Sequence, residues 1–204
     1  MTITATSLPT ASPHVDIPIP PTDSTVLRLL SYNIQAGIPT ENYLDYITGS
    51  WRHVIADDSK HKNLAQISDF LRDFDVVALQ EVDAGSLRSG YINQIEYLAK
   101  RAGFAHWHYQ TNRNLGQFGQ HSNGILCRFN PHTVDNHKLP GMIPGRGAIV
   151  AKFGCMDDPL VVVVLHLALS QRARRQQLQY ITDLIGHYNH VIIMGDMNCS
   201  AEEL

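Results

Sequence analysis

From Val26 onward, short apolar runs alternate with segments whose apolar positions recur every three or four residues, the pattern of strands interleaved with amphipathic helices. The runs at 27–34, 75–80, 106–111, 124–128, 147–153, 160–166 and 191–195 read as strands. Helical spacing puts Leu64, Ile67 and Leu71 on one face, Ile92, Ile95, Leu98 and Ala102 on a second, and Leu178, Ile181 and Ile185 on a third. Gly103 is a natural stop for the second of these helices. The connections 128–147 and 153–160 carry no full helical pattern, so many strand pairs are expected to be antiparallel. That disfavours an all-parallel doubly wound sheet. No internal repeat or second domain is visible, and the chain reads as one α/β domain over 26–204 behind a flexible leader. The leader, 1–25, is rich in Thr, Ser and Pro and has no strand or helix period.

Composition changes this picture in three places. At 204 residues and 44% hydrophobic, the chain can bury a core of its own. Sixteen Lys plus Arg against nineteen Asp plus Glu leave a net charge of −3, so no global positive field attracts nucleic acid and any anionic substrate must be held by local groups. Cys127, Cys155 and Cys199 form an odd set without C-x-x-C spacing, which argues against a disulfide framework or a zinc cluster and points to a reducing, cytoplasmic compartment. The N-terminus lacks the basic and apolar runs of a signal peptide, and no segment is apolar enough to span a bilayer.

The candidate chemistry lies where apolar runs end. The first closes with Ser31-Tyr32-Asn33-Ile34, the second with Leu79-Gln80-Glu81-Val82, a later one with His166, and the last with Gly195-Asp196-Met197-Asn198. Taken singly, each has a plain structural explanation: a solvated loop carboxylate for Glu81, a turn or helix cap for Asp196, satisfied backbone for Asn33, a rim histidine for His166. Together, an amide, a carboxylate, a histidine and an Asp-x-Asn at strand ends suit a metal and a phosphate held at one sheet edge.

With Ser122-Asn123-Gly124-Ile125-Leu126, Pro144-Gly145-Arg146-Gly147-Ala148 and Val164-Leu165-His166-Leu167 added, the chain resembles the endonuclease/exonuclease/phosphatase superfamily of metal-dependent phosphoesterases over 27–198. The resemblance implies two packed, largely antiparallel sheets flanked by helices, a four-layer sandwich with its site at one end. It implies that Glu81 binds Mg²⁺ or Mn²⁺, that Asn33 assists metal and phosphate placement, and that Asp196 orients or activates the attacking water. Asn198 is then expected to donate to a phosphate oxygen, and His166 to contact the phosphate or stabilise its developing charge. A sparse carboxylate site suits magnesium, which prefers oxygen ligands and keeps several waters.

Arg88 follows Glu81 closely, while Arg113 and His121 flank a polar, glycine-containing stretch; these three are expected at a substrate phosphate or sugar, although a turn and a surface hairpin explain them about as well. Arg146 reads first as structural. Arg172, Arg174 and Arg175 stand in the first turns of the third helix, where cations oppose the dipole, so a substrate task and a solvated face are both open. Family members carry a late Asp-His pair that is not found after Asn198, so the domain is expected to be incomplete at its C-terminus, with its last strands missing and its activity weak or lost. The functional classes left open are a phosphodiesterase or phosphomonoesterase, a catalytically dead binding module on the same fold, and, last, a dinuclear metallophosphoesterase. The substrate is expected among phosphate esters: nucleic acid, nucleotide or phospholipid head group.

Overall fold

The structure, a computed structural model, describes residues 26–35, 58–86, 89, 91–114, 120–142 and 145–200. The expected leader and Arg88 lie outside the described residues. Strands β1 (Leu29–Asn33), β2 (Val76–Asp83), β3 (His106–Asn114) and β4 (Gln120–Cys127) form one sheet in the order β1-β2-β4-β3. Strands β5 (Thr133–Lys138), β6 (Gly147–Phe153), β7 (Leu160–His166) and β8 (His190–Asp196) form a second in the order β5-β6-β7-β8. Pairs β1–β2 and β7–β8 are parallel and the other pairs antiparallel. Helices α1 (Asp58–Leu71), α2 (Gln94–Ala102) and α3 (Gln171–Ile185) complete the domain.

The alternation along each strand builds the layers. On β2, Val77 and Leu79 join Leu64, Leu71, Ile95 and Leu98 in a core under α1 and α2. The other face of β2, Val76 and Ala78, meets Ile125, Ile149, Val162, Val164 and Met194 between the sheets. On β7, Val161, Val163 and Leu165 turn to α3 and pack with Ile181 and Ile185. Strands covered on both faces need apolar residues at every position, which is why these runs show no polar alternation. The result is the helix–sheet–sheet–helix sandwich implied by the resemblance.

Three of the sequence-based bounds shift for identifiable reasons. Strand β2 continues past residue 80 to Asp83 through a bulge, Leu79 pairing with Gly124 and Val82 with Ser122, so Gln80 and Glu81 together face Asn123. Strands β3 and β4 run on to Asn114 and back from Gln120 because polar residues still pair in their ladder. Strand β5 falls within the connection that the sequence left without structure; it is an edge strand of mostly exposed polar residues, with little apolar pattern to betray it. Helix α2 ends as expected, with Gly103 in the left-handed conformation (φ +78°), and begins at Asn93, whose side chain accepts from the N–H groups of Ile95 and Glu96.

Because β1, β2 and β3 run in one direction in the first sheet and β5, β7 and β8 share a direction in the second, the carboxyl ends within each sheet lie at a common rim. The two rims meet where β1 packs against β8.

Candidate functional site

Asn33 ends β1, and across the sandwich Asp196 ends β8. The Asn33 Nδ2 donates to Asp196 Oδ2 at 3.0 Å, a bond between residues 163 positions apart that ties the two sheets together at their rim. His166, paired with Asp196 in the β7–β8 register, brings its Nε2 to 3.7 Å from the same Oδ2. That is too long for a hydrogen bond but close enough for electrostatic contact. The Asp196 side chain is 29% exposed and that of His166 11%, so the carboxylate faces the opening and the imidazole lies deeper.

The chain after Asp196 folds back on it. The Asn198 N–H donates to Asp196 Oδ1 at 2.9 Å, and the Asn198 Nδ2 donates to the Leu167 carbonyl at 2.8 Å. The Leu167 N–H in turn donates to the Asp196 carbonyl at 2.9 Å. Asn198 takes a left-handed φ of +50°, a conformation asparagine tolerates better than most residues. Both Asp196 oxygens are thus held by N–H donors, and one N–H of the Asn198 amide remains for another acceptor.

Gly195 is required by this turn. Its φ is +142°, and a Cβ there would stand 1.9 Å from the Leu165 carbonyl oxygen, so β7 and β8 approach at this point only because the residue has no side chain.

Glu81 occupies the β2 bulge with a φ of +55°, unusual for a residue with a side chain. Asn33 pairs with Gln80, so Glu81 lies one residue beyond the pair that carries Asn33, on the rim that holds Asp196. Among the described residues, no hydrogen bond or ion pair engages the Glu81 carboxylate. Asn33 Oδ1 accepts the Gln35 N–H at 3.1 Å and keeps one lone pair. No three His, Cys, Asp or Glu side chains gather closely enough to ligate one metal among the described residues. The oxygens of Glu81 and Asn33 therefore do not form a dense cage of the zinc or dinuclear kind, but a carboxylate with no partner among the described residues, one residue beyond the position that pairs with Asn33, is of the oxygen-donor type that suits a hydrated Mg²⁺ or Mn²⁺.

The expected substrate contacts divide. Arg113 and His121 pair with each other where β3 and β4 reach the rim, and their side chains lie outside the described residues. Arg174 is buried rather than solvated and donates through Nη1 to the Leu169 carbonyl at 2.6 Å, bracing the loop before α3, whereas Arg172 and Arg175 are exposed.

Sequence reading missed a row of buried amides beneath the rim. Gln80, Asn123 and Gln110 sit side by side on β2, β4 and β3 and are at most 8% exposed. Asn123 Nδ2 donates to the Gly147 carbonyl and Gln110 Nε2 to the His137 carbonyl, each at 3.0 Å. Gly147 admits this contact: a Cβ there would lie 2.3 Å from both Gln110 Oε1 and Asn112 Oδ1. The signal was present as a period of two, Val76, Ala78, Gln80 and Cys127, Ile125, Asn123, in which the inward face turns polar as it nears the rim. Asp83 was missed too; fully buried, it accepts from the N–H groups of Gly85 at 2.9 Å and Ser86 at 2.7 Å and so fixes the turn after Glu81.

A sequence profile described as "Endonuclease/Exonuclease/phosphatase family" matches residues 30–204. No curated protein matches the chain. Among solved structures, TDP2 of D. rerio complexed with single-strand DNA product is similar over 87% of this chain and 62% of its own, at 21% identity and TM-score 0.57. An endonuclease/exonuclease/phosphatase from Beutenbergia cavernae is similar over 84% of this chain and 47% of its own, at 21% identity and TM-score 0.59. The catalytic domain of human Nocturnin with bound sulfate is similar over 72% of this chain and 63% of its own, at 18% identity and TM-score 0.53. The chain thus spans about half to two thirds of the length of these structures, and at such identities the likeness is one of fold.

Proposed function

Since this chain belongs to the endonuclease/exonuclease/phosphatase family, we propose that its rim is the centre of a divalent-metal-dependent phosphodiester hydrolase. The observation that carries the reading is the Asn33–Asp196 hydrogen bond with His166 beside it, which draws an amide, a carboxylate and an imidazole from two sheets to one point.

Glu81, aided by Asn33 Oδ1, would hold Mg²⁺ or Mn²⁺, which when bound offsets charge on nonbridging phosphate oxygens. Asp196, its oxygens fixed by the Asn33 amide and the Asn198 N–H, accepts a hydrogen bond from the attacking water and sets its direction. Asn198 gives its remaining amide N–H to a phosphate oxygen, and His166 supplies a further contact where negative charge builds. Because these donors are already tethered, little rearrangement is needed as charge develops. A linear phosphodiester is the substrate class favoured, in keeping with the single-strand DNA product bound by the D. rerio protein. Three free thiols, one of them exposed, favour a reducing compartment such as the cytoplasm. Among the described residues no helix is long and apolar enough to cross a membrane.

Hydrolysis of bis(p-nitrophenyl) phosphate tests the reading, with Mg²⁺, Mn²⁺ or EDTA and with wild type, Glu81→Gln and Asp196→Asn. Metal-dependent turnover reduced by about 10²-fold or more in both variants is expected. Equal rates in all three proteins would remove both residues from the chemistry. Phosphate binding without turnover in the wild type would indicate a binding module.

A further inference from the structure

Beside the rim, between the edge strands β3 and β5, runs a groove of about 830 Å³, within the size range of small-molecule sites. Its walls are His108, Gln110 and Asn112 on one side and Asn136, Lys138 and Arg146 on the other. His108 Nε2 meets Asn136 Oδ1 at 3.0 Å across the gap and closes the end away from the rim. The open end, at Asn112 and Lys138, lies toward the carboxyl ends of β3 and β5, on the same side of the two sheets as Asn33, Glu81 and Asp196.

The chemistry of the walls selects a ligand. Lys138 is exposed and brings a positive charge to the mouth of the groove in a chain of net charge −3, so the favoured ligand is anionic. The amides of Asn112, Asn136 and Gln110 offer both donors and acceptors. Gln110 is 8% exposed, and its Oε1 has no donor among the described residues, an acceptor that a ligand hydroxyl or amino group can satisfy after a small rotation. Distance narrows the choice further. From β1 to β3, and likewise from β8 to β5, there are three interstrand steps, or on the order of 14 Å. That exceeds one phosphorylated sugar ring and matches two or three linked nucleotide units.

We infer that this groove is a second-phosphate subsite, which seats a phosphate of a linear phosphodiester chain two or three units away from the one at the rim, with Lys138 as its cation. The inference rests on the phosphoesterase reading of the rim, but its test does not require turnover. Anisotropy of fluorescein-labelled oligothymidylates of one, two and four nucleotides, in EDTA, measures binding to wild type and Lys138→Gln. The four-mer is expected to bind wild type at least tenfold tighter than the one-mer. Lys138→Gln is expected to weaken the four-mer about tenfold and to reduce the slope of log K against log salt by about 0.7, the share of one phosphate contact on a single strand. Bis(p-nitrophenyl) phosphate, too short to reach the groove, should be hydrolysed alike by both proteins. Equal four-mer affinity and slope in the two proteins would overturn the subsite, as would competition by inositol hexakisphosphate at lower concentration than the four-mer. Absence of bis(p-nitrophenyl) phosphate hydrolysis would instead count against the rim chemistry and leave the groove to be decided by anisotropy.

Discussion

Alanine at Gly195 puts a methyl group 1.9 Å from the Leu165 carbonyl oxygen and 2.8 Å from its carbon. Carbon–oxygen contacts settle at about 3.3 Å or more, so β7 and β8 must part by on the order of 1.4 Å from a normal spacing of about 4.8 Å. One or two neighbouring ladder hydrogen bonds are then lost, at about 1 kcal/mol each. The φ of +142° adds roughly 1–3 kcal/mol for any residue with a Cβ. The sum, about 2–5 kcal/mol, is a substantial part of the 5–15 kcal/mol that typically holds a domain together. Gly154 is the control, with a positive φ of +79° but nothing within 4 Å of its would-be Cβ; its alanine variant should cost about 1–2 kcal/mol. Urea unfolding followed by circular dichroism separates the two. With a slope of about 2 kcal/mol per molar, Gly195→Ala should lower the midpoint by about 1–2.5 M and Gly154→Ala by about 0.5–1 M. Equal shifts would refute the argument that close approach of β7 and β8, rather than φ alone, requires the glycine.

Other expectations follow from the same geometry. Glu81→Gly relieves a left-handed residue worth about 1–2 kcal/mol at a backbone-entropy cost of about 0.5–1 kcal/mol, so its urea midpoint should match or slightly exceed wild type while its thermal shift with Mg²⁺ disappears. A clearly lowered midpoint would mean that the side chain, not the bulge, stabilises this segment. A double-mutant cycle of Asn33→Ala and Asp196→Ala should give a coupling of about 1 kcal/mol in unfolding free energy; zero coupling would deny that their bond joins the sheets. Burial pushes the Cys127 thiol up from its ordinary value to about 12. The unfolded thiol ionises near pH 9 while the folded one stays protonated, so its contribution is full below that pH and is lost as pH rises toward 12. The fall is steepest at about 1.4 kcal/mol per pH unit, and Cys127→Ala should flatten it. In the native protein Ellman's reagent should label exposed Cys155 quickly and Cys127 only on unfolding.

The layers were legible because strands covered on both faces must be apolar throughout, as in Val161 to Leu165, and because helices α1 to α3 show one apolar stripe each. Strand β5 was not, since an edge strand whose side chains meet solvent carries no such imprint. The rim residues Asn33, Glu81, His166, Asp196 and Asn198 could be picked out because each follows an apolar run. What the sequence withheld was who touches whom. That Asn33 meets Asp196, that Asn198 bonds back to Leu167, and that Glu81 sits in a bulge all depend on register between strands, which composition does not encode. The row Gln80, Asn123 and Gln110 was concealed for a related reason: each looks like an isolated polar interruption until the pairing of β2, β4 and β3 lines them up.

Each sheet is drawn from one uninterrupted stretch of chain, 29–127 for the first and 133–196 for the second, and each stretch brings the helices that cover its own outer face. The middle apolar layer, the rim and the polar contacts that β3 and β4 make with β5 and β6 are joint property. The molecule is in effect two self-clothed halves joined by a five-residue hinge at 128–132, so severing that hinge should leave partners able to find each other again in solution. Any signal that depends on Asn33 meeting Asp196 would then serve as a readout of successful mating, silent in either piece alone.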